Sequence, residues 1–282
     1  SMQVYRGMDI GTAKITKEQM DGVPHHLIDI MDPSDSFHVM AFQQKCKEAM
    51  EDIYARHKIP ILVGGTGFYI QSVLYDISFT ETDTDIEYRQ ELQKIAEEQG
   101  GYVLHARLAK IDPEAADEIH PNNVKRVIRA LEFNHQTGEK ISIHNEQERQ
   151  KKSPYQFRYY VLSLPREILY DRINRRVDMM RRDGLVDEVK GLLQQGITPN
   201  MVSMQGLGYK EIIDALQGSC SFEEAFERIK RETRHFAKRQ FTWFRRERDV
   251  TWIDKETYEN EDAILQYMIE DLKNAYILPA DQ

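Results

Sequence analysis

The stretch Ile59–Tyr75, with the sequence IPILVGGTGFYIQSVLY, decides the fold predicted for this chain of 282 residues. Its apolar run Ile61–Val63 is typical of a short, fully buried strand. The turn Gly64-Gly65-Thr66-Gly67 follows, and the apolar residues after it recur with helical spacing. Glycine N–H groups, the positive end of a helix and the Thr66 hydroxyl together suit an anion. A tight structural turn between strand and helix fits the same pattern, so both interpretations stay open here.

Composition excludes several classes of protein. The chain is 40% hydrophobic and 30% charged, which is typical of a globular protein, and no apolar run reaches the roughly 18 residues of a membrane span. No secretory signal is recognisable at the start. The two cysteines, Cys46 and Cys220, match no disulfide or zinc spacing. We therefore predict a cytoplasmic monomer with no membrane partner and no metal-ligating side chains.

The charge is distributed unevenly. The net charge of −9 argues against a protein that coats nucleic acid, yet residues 227–248 hold nine Lys or Arg against three acids. An acidic body with one basic helix indicates a focused site for a polyanion.

The predicted fold is α/β, with a parallel sheet flanked by helices. Strand signals occur at Leu27–Ile30, Ile61–Val63, Arg158–Leu164 and Val250–Asp254, and helical spacing separates them. Strand signals vanish between residues 80 and 152, where three helical segments follow one another. We predict that 80–152 is a helical insertion domain, closed by a polar link at residues 146–154. The remaining 1–79 and 153–282 form the α/β core.

Two helical segments carry clusters of cations. Lys125, Arg126 and Arg129 lie within about one turn and can face one partner, although a solvated helix face has the same pattern. The segment Arg166–Arg182 keeps five arginines away from its apolar stripe, which suits a diphosphate or an RNA backbone but also a merely solubilising surface.

Five ordered blocks of sequence carry a family resemblance. They are SMQVYRGMDIGTAK at 1–14, PHHL at 24–27, VGGTGFY at 63–69, HPNNVKRVIRALE at 120–132 and RHFAKRQFTWF at 234–244. Together they resemble the tRNA dimethylallyltransferase family, also called tRNA isopentenylpyrophosphate transferases, from Ser1 to about Lys273. The resemblance implies a P-loop NTPase-like core.

The resemblance also implies an activity and its residues. The activity is the magnesium-assisted transfer of a dimethylallyl group from its diphosphate to N6 of the adenosine 3′ of the anticodon in tRNA. Arg176 would stabilise the leaving diphosphate, and Gln3 would bind an adenine edge in a bidentate manner. The substrate-binding residues implied are Ser1, Met2, Gln3, Gly64, Gly65, Thr66 and Gly67. The tRNA-binding residues implied are Arg89, Val124, Lys125, Arg126, Val127, Ile128, Arg129, Arg234, His235, Phe236, Ala237, Lys238 and Arg239.

One departure from the family's pattern concerns its phosphate loop. Members of that family begin with a strand and a Walker-type loop, Gly-x-x-x-x-Gly-Lys-[Ser/Thr], ahead of the Ser that is residue 1 here. No such loop occurs in this chain, and Gly206–Lys210 comes nearest without the spacing. We therefore expect either that a segment precedes Ser1 in the natural protein or that this chain is catalytically incomplete. The family's catalytic Asp and Walker Lys have no position here, so we name no general base.

Two other classes of function stay open on the sequence. One is a free-adenylate isopentenyltransferase or a small P-loop kinase, although neither needs the helical insertion or the basic segment 227–248. The other is a non-catalytic RNA-binding module.

Overall fold

The computed structural model describes residues 1–79 and 85–279 of the chain. It divides into two compact units, one made of Ser1–Val73 with Tyr155–Gln282 and the other of Leu74–Pro154. The predicted boundary between residues 79 and 80 adjoins residues 80–84, which lie outside the described part.

Two strands and twelve α-helices occur among the described residues. The strands are β1 (Tyr159–Ser163) and β2 (Val250–Asp254). The helices before β1 are α1 (Val39–Ala55), α2 (Gly67–Leu74), α3 (Ile86–Gln99), α4 (Gly101–Ile111), α5 (Pro113–Glu118), α6 (Val124–Thr137) and α7 (Ile141–Gln150). The helices after β1 are α8 (Arg166–Arg182), α9 (Leu185–Gln194), α10 (Tyr209–Leu216), α11 (Phe222–Phe244) and α12 (Glu261–Asn274).

The sheet of the first unit is parallel and has helices on both faces. β1 pairs with β2 in parallel, with Tyr159 opposite Val250. Tyr159 packs edge-to-face on Phe244 of α11, whereas the Tyr160 hydroxyl donates to Asp271 of α12 at 2.6 Å. Since neighbouring residues of a strand point to opposite faces, α11 and α12 cover the two sides of the sheet.

Two of the four predicted strands are wrong. Ile61 and Val63 are 83% and 86% exposed, and no described strand lies beside them to hydrogen-bond with their backbone. The segment 27–30 bends because Leu27 and Asp29 have left-handed φ angles of 61° and 53°. All that remains there is an isolated parallel bridge between Tyr5 and Met31.

The second unit is helical among its described residues. The buried side chains of α3, α4 and α6 form its core, including Leu92, Leu104, Leu108 and Leu131. The predicted polar link at residues 146–154 is wrong for its first half, because α7 continues to Gln150.

The predicted strand at Val250–Asp254 and the predicted helix at Arg166–Arg182 are confirmed, and β1 is one residue shorter at each end than the predicted Arg158–Leu164. The capping box of α11 forms, since Ser221 and Glu224 bond each other's backbone N–H groups. None of the helices in the described part has the length and apolar character needed to cross a membrane.

Candidate functional site

Ser1 and Thr66 meet at the start of α2. The Thr66 hydroxyl donates to Ser1 Oγ over 3.5 Å, and the Thr66 carbonyl accepts the N–H groups of Tyr69 and Ile70 in the first turn of the helix. The first helical N–H groups and the positive end of the helix therefore lie beside two hydroxyls. The structure thus brings together the chain's first residue and the glycine turn, which the sequence separates by 65 positions.

The glycines of this turn differ in what surrounds them. A Cβ on Gly65 would lie 2.2 Å from Gln240 Nε2, and one on Gly67 would lie 2.1 Å from the Trp243 ring. Both side chains come from α11, and Gln240 also donates to the Gly65 carbonyl at 2.8 Å. Gly64 has no other heavy atom within 4 Å of an added Cβ. Packing therefore explains Gly65 and Gly67, while Gly64 faces open space.

The side-chain amide of Gln3 is hydrogen-bonded to the loop that follows it. Its Nε2 donates to the carbonyls of Thr12 and Ala13, at 3.1 and 2.9 Å, which uses both amide hydrogens. A bidentate contact with adenine needs one of those hydrogens, so Gln3 would have to release one of the two carbonyls to make it, and the contact stays a prediction. Only Oε1, an acceptor, stays without a hydrogen bond among the described residues. The preceding residue, Met2, packs its side chain against the core next to Gly206.

Lys14 stabilises the loop that contacts Gln3. Its Nζ donates to the Tyr5 carbonyl at 2.6 Å and to the carboxylates of Asp9 and Asp29, and its side chain is almost fully buried. All three ammonium hydrogens thus have acceptors. The Lys14 charge is therefore neutralised within the loop and is not available to a substrate.

Arg176 projects from α8 into solvent. It has no hydrogen bond or ion pair with any residue in the described ranges, whereas its neighbour Arg175 pairs with Asp171 and Arg181 pairs with Glu223. An unpaired guanidinium keeps its donors free for an anion. The structure gives no direct contact between Arg176 and the glycine turn.

The side chains in the basic segment of α11 differ in whether they are bonded to other residues, exposed or buried. Arg234 donates to Asn174 of α8 at 2.6 Å, and His235 lies 3.4 Å from Glu232. Lys238 is exposed and unpaired within the described residues, and Arg239 lies over the ring of Phe236. Ala237 is buried, so its side chain belongs to the core, and the contact of this position with tRNA stays a prediction.

Helix α6 of the second unit separates its cations from its apolar side chains. Lys125, Arg126 and Arg129 are exposed and have no partner in the described part of the chain. Val127 and Ile128 are buried in the core and Val124 packs against it. The contact of these positions with tRNA stays a prediction.

Arg89 of α3 has a structural partner. Its guanidinium donates to both carboxylate oxygens of Glu132, at 2.6 and 2.8 Å, and Glu132 is only 1% exposed. The hydrogen bond to Glu132 raises the pKa of Arg89. Arg89 thus neutralises a buried carboxylate, and only its half-exposed outer side is left for another partner.

Sequence reasoning did not identify Gln240, Trp243 and Lys14, which position the glycine turn and the first loop. Gln240 and Trp243 contact the glycine turn from α11, and Lys14 bonds the Tyr5 carbonyl across a folded loop, so no local pattern predicts these contacts. Trp243 does belong to the block at 234–244, but its periodicity there indicates only an apolar helix face.

Among the described residues no cluster of three or more His, Cys, Asp or Glu side chains is positioned to hold a metal ion. These residues therefore fit a magnesium ion only if it takes most of its ligands from a substrate phosphate and water, as Mg²⁺ commonly does. The hydroxyls of Ser1 and Thr66 are oxygen atoms at the glycine turn that could contribute to such a site.

Comparisons with known proteins identify the family to which this chain is similar. The family model described as IPP transferase matches residues 3–247. The tRNA dimethylallyltransferase of Lachnoclostridium phytofermentans is 55% identical over 278 residues, which cover 99% of this chain and 89% of that protein.

Solved structures confirm the fold class, an α/β core with a helical insertion. The full-length tRNA isopentenylpyrophosphate transferase of Bacillus halodurans is 46% identical, with a TM-score of 0.70 over 98% of this chain and 87% of that one. A eukaryotic dimethylallyltransferase, in crystallographic snapshots of its action on tRNA, is 30% identical, with a TM-score of 0.78 over 100% of this chain and 73% of that one. This chain therefore belongs to the IPP transferase family.

Proposed function

We propose that this protein transfers a dimethylallyl group from dimethylallyl diphosphate to N6 of the adenosine 3′ of the anticodon in tRNA. The observation that carries this proposal is the meeting of Ser1 with Thr66 at the start of α2. A diphosphate would lie at the first N–H groups of α2, and the target nucleotide at the Ser1–Gln3 segment.

The chemistry needs donors that stabilise charge as it develops. The exocyclic amine attacks the allylic carbon, a C–N bond forms as the C–O bond to diphosphate breaks, and the amine loses a proton. Negative charge grows on the leaving diphosphate, so the helix N–H groups, the Thr66 hydroxyl and the unpaired Arg176 guanidinium favour the transition state. We assign no described residue as the base that accepts the proton from the amine.

Two exposed cationic surfaces, one in each unit, support tRNA as the partner. The first consists of Lys238 and Arg239 on α11, and the second of Lys125, Arg126 and Arg129 on α6. Their charges are largely free of protein carboxylates, whereas many other surface cations of the chain are paired. Unpaired cations release counterions from phosphates when RNA binds.

Magnesium is part of the proposal as a companion of the diphosphate. When bound, it would neutralise part of the phosphate charge. Titration of a chelator against turnover tests this assignment.

The proposed setting is a cytoplasmic monomer. Cys46 and Cys220 are free thiols, as is common in a reducing compartment, and burial raises the pKa of Cys46 to about 11. Light scattering coupled to size-exclusion chromatography tests the monomeric state.

A transfer assay tests the proposed function directly. The protein, expressed from its natural gene, is incubated with labelled dimethylallyl diphosphate and an anticodon stem-loop RNA, and the RNA is digested to nucleosides. We expect one N6-prenylated adenosine, 3′ of the anticodon. Label in free adenylate instead, or RNA binding with no transfer, would contradict the proposal.

A further inference from the structure

Glu188 binds the backbone of the loop that follows the Ser1–Gln3 segment. Its carboxylate accepts the N–H groups of Asp9, Ile10 and Gly11, at 2.8, 2.7 and 3.1 Å. Glu188 lies in the first turn of α9, more than 170 positions along the chain. Three successive N–H groups on one carboxylate form an anion nest whose anion is supplied by the protein itself.

Tyr209 closes the other side of this contact. Its hydroxyl donates to Glu188 Oε1 at 2.6 Å, and burial together with the Glu188 carboxylate raises the pKa of Tyr209. The hydroxyl therefore stays protonated as a donor. A Cβ on Gly11 would lie 2.5 Å from the Tyr209 ring, so the loop rests directly on that ring.

The held loop in turn fixes the amide of Gln3. The two residues after Gly11 are Thr12 and Ala13, whose carbonyls take both hydrogens of Gln3 Nε2. Carbonyls can only accept, so the amide has one possible orientation and Oε1 is its free end. Ser1, two residues before Gln3, contacts Thr66 at the proposed transfer site.

We infer that Glu188 is a positioning residue that, through the loop 9–13, holds Gln3 Oε1 as an acceptor toward the target base. This inference rests on the proposed function. An acceptor at that position favours adenine, because the exocyclic amine of adenine donates a hydrogen bond to it. It disfavours guanine, because the O6 carbonyl is itself an acceptor and would repel Oε1. Glu188 would thus set base selectivity without contact with substrate.

The magnitude follows from one hydrogen bond gained and one repulsion avoided. A single well-placed hydrogen bond to a base edge discriminates by about tenfold. In Glu188→Gln, the new side chain has only one oxygen to accept from the three loop N–H groups. Its NH₂ group would face the remaining N–H groups donor to donor. The loop then loses its fixed position, and Gln3 can turn its amide over.

The test measures equilibrium binding of two anticodon stem-loop RNAs that differ only in having adenosine or guanosine at the target position. Proteins compared are the parent, Glu188→Gln, Tyr209→Phe and the control Asp187→Asn. Asp187 lies in the same helical turn, and within the described residues its carboxylate pairs only with Lys190, at 3.6 Å. Its substitution therefore removes the same charge but leaves the loop intact.

We expect the parent and Asp187→Asn to prefer the adenosine RNA by about tenfold and Glu188→Gln to lose most of this preference with an unchanged salt dependence. Tyr209→Phe keeps the three N–H contacts of Glu188 and should lose part of the preference for the adenosine RNA. This variant still tests the inference if Glu188→Gln does not fold. An unchanged preference in both variants, or equal weakening toward both RNAs, overturns the inference and leaves the function standing. A parent that binds RNA without preference also overturns it. A parent that binds neither RNA refutes the proposed function itself.

Discussion

The exposed cations of α6 give the sharpest prediction about RNA binding. Arg126 and Arg129 lie on the surface without a protein partner in the described part of the chain, so each can take one phosphate. Each phosphate contact contributes about 0.7–0.9 to the slope of log K against log salt. At 0.1 M salt this corresponds to roughly five- to eightfold in affinity per contact. The double substitution to Ala should therefore weaken tRNA binding about 25- to 60-fold and reduce the slope by about 1.5.

A second double substitution provides the matched control. Lys94 and Arg149 belong to the same unit and are also exposed, but Lys94 pairs with Glu98 and Arg149 with Glu118. Replacing both by Ala removes the same net charge from cations that are already neutralised.

Fluorescence anisotropy of labelled tRNA, titrated at four salt concentrations, measures affinity and slope together. We expect the control pair to change affinity less than twofold, since exposed ion pairs are weak and their carboxylates repel phosphate. Equal losses in both double variants would show that net charge alone governs binding and would refute the assignment of α6. Thermal unfolding of each protein checks that the fold is intact.

Three further outcomes are expected. Replacing Arg176 by Ala should lower kcat by on the order of 10²–10³, with tRNA affinity unchanged, because it removes a donor to the leaving diphosphate; steady-state kinetics of transfer measure this. Replacing Arg89 by Met should cost about 2–3 kcal/mol in the free energy of unfolding, measured in urea, because the buried Glu132 loses its bidentate partner. Burial opposes ionisation of Asp112, but hydrogen bonds from Ser142 and Ala115 hold its pKa below the ordinary 3.8. The contribution of Asp112 to stability is therefore present above about pH 4 and is lost as pH falls through the folded-state pKa. The variant Ser142→Ala should show a smaller loss of stability at low pH, measured by thermal unfolding as a function of pH.

Helices could be predicted from the sequence because their signals are local. Arg166–Arg182 was predicted without error, and its apolar stripe and cationic side are both as expected. The spacing of Val124, Val127, Ile128 and Leu131 is that of a buried helix face. That spacing correctly predicts that these side chains pack in or against the core.

Strands and polar contacts depended on partners that no local pattern reveals. The run Ile61–Val63 is apolar enough for a buried strand, but a strand also needs a neighbour to hydrogen-bond with, and none lies beside it in the described residues. Gln3 is bound by carbonyls nine and ten positions later, in a loop whose path depends on Glu188. Its amide orientation could therefore be found only in three dimensions. The expectation drawn from the absent Walker-type loop stays a prediction.

The central claim is that the diphosphate binds where Thr66 meets Ser1, and one comparison tests it most directly. Thr66→Val removes the hydroxyl at the start of α2, whereas Thr242→Val removes one that donates to the Lys238 carbonyl within α11. Steady-state transfer kinetics with dimethylallyl diphosphate as the varied substrate should show kcat/KM reduced by on the order of 10–100-fold for Thr66→Val, with tRNA affinity unchanged. Thr242→Val should match the parent. Equal kcat/KM for the two variants would contradict the claim and place the diphosphate elsewhere.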